Sequence, residues 1–397
     1  MKARIKLFRN YIYTMLTLLG MASCCCLDPD DKTPHDRTVL IYMAAENSLA
    51  SFSYQDIDEM KQALTDIPKN SRLIIYLDNT EFPRIIAFEQ TEEGVETKTL
   101  HQYAEELNSG DAETLRQVME WTADNYPAES YGLVMWSHGD SWIPTAPPIQ
   151  RSICIDNGSN SYSDKGTKMN IGDMADALKG FPKLDFIMFD ACFMQSVEVA
   201  HTLRTTTRYI VASPAEIPGP GAPYHTLISP MFSQPLDMES LIEAYYQEYR
   251  EDNTYGVCLS VLDCDYIDNL ANVTAEMVAK HVADNQEESL DSVQCYYTKN
   301  NGFLPEFYDM NGYMVRMIKD EADYARWKSA LDLAVPYRRT TERWYSMYTR
   351  KREEVDVERY SGISCYVPKN NSSHETFNEK FRTTSWYEVS GWRLLEK

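Results

Sequence analysis

The sequence predicts an α/β protein with a mostly parallel central sheet flanked by helices. Three observations predict it. Short apolar runs alternate with segments of helical period, the order that gives parallel strands joined by crossover helices. The runs are continuously apolar rather than alternating, as strands covered on both faces must be. Several of them stop abruptly in polar or reactive residues, at the carboxyl ends where open α/β sheets carry their sites.

In chain order, residues 39–44 make the first run. A helical pattern through Leu49, Ile57, Met60 and Leu64 follows, ended by Pro68 and Asn70. Residues 73–77 are the second strand. Residues 85–88 and 95–100 read as a hairpin with Gly94 in its turn. Gly110 and Asp111 open a helix that runs to Asn125. The run 131–136 leads into Ser137-His138-Gly139-Asp140-Ser141-Trp142. Residues 143–168, with Pro144, Pro147, Pro148 and a cluster of Asn, Gly and Ser, read as a long exposed loop. A helix from about 170 to 178 precedes the run 184–189, which ends in Asp190-Ala191-Cys192 with helix-like sequence from Gln195 to Arg204. A strand at 209–212 enters a loop from Ser213 to Gly221 that holds Glu216, Pro218, Gly219 and Pro220. A helix at 237–249, a strand at 256–262 and a helix at 266–284 follow. The stretch to Lys351 is mostly helical in period, and residues 361–367, closed by Pro368, form a last strand expected to return to the sheet.

The amino terminus reads as a targeting segment. Lys2, Arg4, Lys6 and Arg9 precede a short apolar stretch, and small residues then lead to Cys24, the pattern of a signal peptide ending in a lipidation cysteine. The organisation expected is a signal peptide over 1–23, a lipid-anchored tether over 24–37, a catalytic domain over 38–262 and a mainly helical region over 263–397. The location expected is the bacterial cell envelope, as an outer-membrane or surface lipoprotein attached to the membrane through its lipid. The 60 acidic against 38 basic residues give a net charge of −22, which argues against nucleic acid as a partner. Cys154, Cys192, Cys258, Cys264, Cys295 and Cys365 lack metal-binding spacing, so most are expected to be buried free thiols.

Two strand ends carry reactive residue types, His138 and Cys192. A thiol attacks a carbonyl as its thiolate and, with an ordinary pKa of about 8.5, needs a base or a favourable dipole nearby. A histidine from a neighbouring strand end supplies the base. Gly139 leaves room for a substrate, and the backbone N–H groups of Gly139 and Cys192 are candidate oxyanion donors.

Set side by side, these motifs resemble the clostripain family of cysteine peptidases, relatives of caspases. The histidine motif is Trp136-Ser137-His138-Gly139 with Trp142 beyond, and the nucleophile motif is Phe189-Asp190-Ala191-Cys192-Phe193-Met194. The resemblance extends to residues 39–45, to Val211–Ser213 with Pro218-Gly219, and to 362–368. It implies a caspase-like fold, His138 as base, Cys192 as nucleophile, and cleavage of peptides after Arg or Lys. By the same resemblance Asp190, two residues before the cysteine, receives the basic side chain, with Ser213 and Glu216 as further substrate-binding candidates. A carboxylate in a cleft suits a guanidinium bidentately. The alternative for Asp190 is the cap of the following helix.

The resemblance also implies self-cleavage in the 143–168 loop, where Arg151, Lys165 and Lys168 are the basic residues. Some relatives depend on calcium, but no calcium-loop spacing is present, so no cofactor is expected and calcium is kept as the minor alternative. The loop after Ser213 departs from the family pattern at Pro220 and Ala222. A catalytically inactive surface lipoprotein that binds a partner on the same fold is therefore the rival reading, and an acyl-transfer hydrolase with the same dyad is the second. A monomer is expected.

Overall fold

In a computed structural model the structure describes residues 33–143, 153–158, 166–285, 290–296 and 307–396. The signal segment, Cys24, Arg151 and Lys165 lie outside the described residues. The strands are β1 (His35–Ala44), β2 (Ser71–Asp78), β3 (Arg84–Thr91), β4 (Gly94–Gln102), β5 (Ala128–Trp136), β6 (Ile153–Asp156), β7 (Thr167–Met169), β8 (Leu184–Asp190), β9 (Thr207–Ala212), β10 (Cys258–Asp263), β11 (Phe307–Asp309), β12 (Tyr337–Thr340), β13 (Arg343–Ser346), β14 (Lys351–Glu354) and β15 (Ser364–Tyr366). The helices are α1 (Ala50–Gln62), α2 (Ala112–Asn125), α3 (Ile171–Ala177), α4 (Val197–Leu203), α5 (Tyr224–Met231), α6 (Met238–Tyr249), α7 (Ile267–His281), α8 (Met310–Met317), α9 (Glu321–Ala334), α10 (Glu375–Phe381) and α11 (Ser385–Val389).

Nine strands form one sheet in the order β12-β10-β9-β8-β5-β1-β2-β3-β4. The five central strands are parallel, and the pairs at both flanks are antiparallel. The continuous apolar runs are explained by this placement. Val39 to Ala44 of β1 are all buried, with odd and even positions feeding separate cores on the two faces of the sheet. One face packs α2, α3, α4 and α7, and the other packs α1, α5 and α6. The expected helix starts are seen, with Asp111 accepting from the Glu113 N–H at 3.0 Å and Asp237 from the Ser240 N–H at 3.0 Å.

Three expectations need correction. Residues 143–168 are not one open loop, because β6 and β7 pair there and Ile153, Cys154 and Ile155 are buried. The helix after Cys192 begins at Val197 with Ser196 as its cap, so neither Cys192 nor Asp190 stands at its amino terminus. The last strand, β15, does not enter the main sheet. It pairs with β11, and its neighbour across the chain is Ser196. The strand that the carboxyl-terminal region gives to the main sheet is β12. Its short, charged sequence Tyr337-Arg-Arg-Thr340 lacks an apolar run because it lies at the sheet edge, where charge discourages further pairing. Beside helices α7 to α11, that region therefore also holds strands. The cysteines agree with expectation. Cys154, Cys192, Cys258, Cys264, Cys295 and Cys365 are free thiols, and four of the six are buried.

Asp309 ties the carboxyl-terminal region together. Its fully buried carboxylate accepts from the Gly312 N–H at 2.8 Å, the Tyr296 hydroxyl at 2.7 Å, and the Ser361 N–H and hydroxyl at 2.8 Å each. Replacing Asp309 with alanine strands these donors without an acceptor. The expected cost is about 3 kcal/mol, read as a lower urea midpoint.

Candidate active site

Strand register brings the two reactive ends level. In the β5–β8 pair Trp136 lies opposite Asp190, so His138 and Cys192 each stand two residues beyond matched positions. Three backbone contacts hold the histidine segment. The Ser137 N–H reaches the Asp190 carbonyl at 3.4 Å, the Cys154 N–H reaches the His138 carbonyl at 3.2 Å, and Gly139 pairs with Ile153. The β6 strand thus pins the loop that carries the histidine. The cysteine segment is turned outward at Phe193, a buried aromatic in the left-handed region with φ of 63°, whose N–H bonds the Ala215 carbonyl at 2.9 Å. Such backbone strain in a non-glycine residue persists only where surrounding structure enforces it, and it concentrates at functional sites.

Gly139 is a point of close approach between the two segments. A Cβ there would lie 2.8 Å from the Cys192 carbonyl oxygen and 3.0 Å from both the Ala191 Cβ and the Met194 Sδ. Backbone cannot yield as a flexible side chain can. Gly139→Ala is therefore expected to push His138 away from Cys192. A fall in kcat/KM of about 100-fold is expected, since misplacements of about 1 Å have that effect, and kinetics beside a thermal melt will measure it.

His138 and Cys192 line one cleft of about 950 Å3. The His138 Nε2 lies 2.8 Å from the Ser48 Oγ, so a serine just before α1 orients the ring. The Cys192 Sγ accepts from the Ile217 N–H at 3.3 Å. That donor comes from the 213–221 loop and takes the place expected of a helix amino terminus. The thiol is only partly exposed. Burial, reinforced by the nearby Glu216 carboxyl, pushes its pKa well up, so it rests as the neutral thiol. The cleft walls are largely apolar, with Leu49, Phe52, Trp136, Ile217, Tyr255 and Tyr345 among them.

Asp190 lines the same cleft and is 5% exposed. Its Oδ2 accepts from the Ala222 N–H and the Tyr224 hydroxyl, both at 3.1 Å. The 218–221 turn that departs from the family pattern delivers that N–H. Gly221 has φ of +73°, and a Cβ there would fall 3.0 Å from the Asp190 Oδ2. Burial, opposed by these donors and aided by Glu59, raises the Asp190 pKa to about 6. A second buried acid, Asp56 of α1, accepts from the Trp136 indole N–H at 2.6 Å, and burial, with the Asp190 carboxylate nearby, raises its pKa.

The other expected substrate contacts divide. Ser213 is fully buried outside the cleft lining, with its carbonyl accepting from the Gln195 N–H and its hydroxyl from the Ala215 N–H, each at 3.0 Å. It shapes the loop and does not meet the cleft. Glu216 does line the cleft, but its Oε1 accepts from the Met347 N–H at 2.7 Å. It latches the 213–221 loop to the turn between β13 and β14. Lys168 lies at the cleft wall in β7, paired with β6, rather than in a free loop. Ser48, Asp56 and Tyr224 are the site residues that sequence reasoning missed. Each is ordinary in its own segment and reaches the site only through long-range packing.

A sheet whose strand ends present a histidine and a cysteine to one cleft defines a caspase-like cysteine peptidase. The chain belongs to the clostripain family, Peptidase C11, whose pattern it matches over residues 41–396. It is similar to a secreted C11 cysteine protease of Bacteroides thetaiotaomicron solved by X-ray with an irreversible peptide inhibitor. That match has a TM-score of 0.79 and 30% identity, over 90% of this chain and 99% of that one. It is likewise similar to an inactive zymogen C11 protease of Parabacteroides distasonis, with a TM-score of 0.77 and 31% identity over 90% and 99%. Clostripain of Hathewaya histolytica is 29% identical over 217 residues, which is 47% of this chain and 40% of that protein. The matched span is thus less than half the length of that relative. The family and its solved members make this chain a cysteine-type endopeptidase.

Proposed function

We propose that the protein hydrolyses peptide bonds after Arg or Lys through a His138–Cys192 dyad. The observation that carries this reading is the pairing of a partly exposed thiol and an oriented imidazole in one cleft that also holds a buried carboxyl, Asp190. His138 takes the Cys192 proton, and the thiolate adds to the scissile carbonyl. N–H groups of Gly139 and Cys192 receive the oxyanion. His138 passes its proton to the leaving amine, which departs as the thioester forms. Water then adds to the thioester, with His138 as base, and releases the acid and the thiol. A cationic side chain entering the cleft meets Asp190, and the apolar walls carry its methylene stem.

The same reading includes export, lipid attachment at Cys24 and display at the cell envelope, supported by the leader sequence and by a secreted relative. It also includes maturation by cleavage within 143–168, supported by a relative solved as an inactive zymogen. Lys168, placed in the paired strand β7, is poorly suited to cleavage. The reading is tested with fluorogenic peptides ending in Arg, Lys or norleucine. Preference for the cationic pair by at least about tenfold is expected, in line with a charge-assisted contact. Equal turnover of norleucine would remove the specificity claim and leave the dyad standing.

A further inference from the structure

We infer that the β13–β14 hairpin builds a second specificity subsite, formed by Tyr255, Tyr345 and Met347, that takes an apolar side chain from the two substrate residues before the basic one. The subsite rests on the proposed His138–Cys192 dyad. Its side of the cleft follows from chemistry and strand order. His138 protonates the leaving amine, so the departing part of the peptide lies toward β5, which carries the histidine. On the other side of β8 the sheet continues through β9 to β10. The acyl part of the substrate therefore runs toward β9 and β10, past the 213–221 loop that β9 feeds. β10 is antiparallel to β9, so its start lies at the carboxyl end of β9, and Tyr255, just before it, lines the cleft.

The hairpin stands on that side and is fixed at its root. Side chains along a strand alternate between faces. In β13 Trp344 and Ser346 are buried, and Trp344 packs into a small core with Ala215, Cys258, Tyr296 and Tyr360. Tyr345, between them, lines the cleft, and its ring meets that of Tyr255 edge-on with centroids 6.4 Å apart. The turn beyond is held from two sides. Glu216 of the 213–221 loop accepts from the Met347 N–H at 2.7 Å, and the Tyr348 hydroxyl donates to the Asp140 Oδ1 at 3.3 Å in the loop that carries His138. This pinned backbone presents Met347, which is 71% exposed, at the cleft wall. One exposed methionine needs no explanation by itself. Here it joins two aromatic rings and Ile217, whose N–H already holds the Cys192 Sγ, so the apolar wall begins at the nucleophile. Rings and a flexible thioether adapt to aliphatic and aromatic side chains alike.

The full chain is assayed on fluorogenic peptides that carry arginine next to a dye leaving group, so that only the acyl side varies. The two residues before arginine are set in turn to glycine, leucine, phenylalanine or glutamate. Leucine or phenylalanine in at least one position is expected to raise kcat/KM about tenfold over glycine, as an apolar pocket does, with glutamate below glycine. Tyr345→Ala and Met347→Ser are expected to cut that gain to about twofold, while the ratio of arginine to norleucine turnover stays at the parent value. Met347→Ser changes an exposed side chain, so the test holds even where Tyr345→Ala folds poorly. Binding of the same peptides to Cys192→Ala, followed by fluorescence anisotropy, makes the comparison without turnover. Equal turnover of norleucine beside an intact apolar gain supports the subsite and removes only the preference for a basic residue. A flat series at both positions in turnover and in binding, or a gain that both variants leave intact, overturns the subsite.

Discussion

Replacing Cys192 with alanine is expected to lower kcat/KM by at least about 10^4-fold on every peptide, because the step that forms the thioester disappears. The fold is expected to survive. Cys192 is only partly exposed, and its thiol's polar contacts are with the Ile217 N–H and carbonyl at 3.3 and 4.0 Å, each worth about 1 kcal/mol or less. A thermal melt within a few degrees of the parent, beside lost turnover, separates chemistry from stability. Residual turnover near the parent level would show that another nucleophile acts. His138→Ala is expected to lose somewhat less, about 10^2 to 10^4-fold, as removal of a general acid–base does. An irreversible thiol label is expected to mark Cys192 in the parent and to leave the four buried cysteines far less modified. Cys154, Cys258, Cys264 and Cys365 are buried, whereas Cys192 is partly exposed in the cleft beside His138. A parent protein that resists the label would instead favour the inactive, partner-binding reading.

Asp190→Asn is the second large effect. Asparagine keeps the shape and an oxygen for the Ala222 N–H but removes the charge. A loss of about 10 to 150-fold in kcat/KM is expected on Arg and Lys substrates, with norleucine peptides little changed. The pH profile carries the same signature. Burial places the Asp190 pKa near 6, above the ordinary carboxylate value, so the charge that attracts a cation appears only as pH rises through that value. The cationic-to-neutral substrate ratio is therefore expected to climb between about pH 5 and 7 in the parent and to stay flat in Asp190→Asn. The stability linkage has the opposite sense. A raised native pKa means that the folded state holds its proton more tightly, so this group's contribution is greatest below about pH 4 and falls as pH rises through about 6. Asp190→Asn is expected to flatten that fall in a melting series. Profiles identical in parent and variant would place the specificity elsewhere.

Much of the fold was legible because it rests on local and near-local signals. Continuous apolar runs marked β1, β2, β5, β8, β9 and β10, which are covered on both faces, and Asp111 and Asp237 marked helix starts. The strands that escaped notice carry weaker patterns. β12 is charged at a sheet edge, β13 and β14 make a short, charged hairpin that buries only Trp344 and Ser346, and the pairing of β15 with β11 depends on partners far apart in sequence. Pro230 inside α5 likewise hid that helix.

The sequence by itself determined the two strand ends, His138 and Cys192, since a reactive residue closing a buried strand leaves few places for it to point. It also supplied Asp190 by its position two residues before the cysteine. Only the tertiary structure decided what surrounds them. It turned Ser213 into loop support and Glu216 into a latch, gave Cys192 an N–H from Ile217 in place of a helix end, and set Asp190 against Ala222 and Tyr224. The physical reason is that burial and electrostatic company are properties of packing. A carboxylate has the same local sequence whether it ends in water, beside an N–H, or facing two other carboxylates.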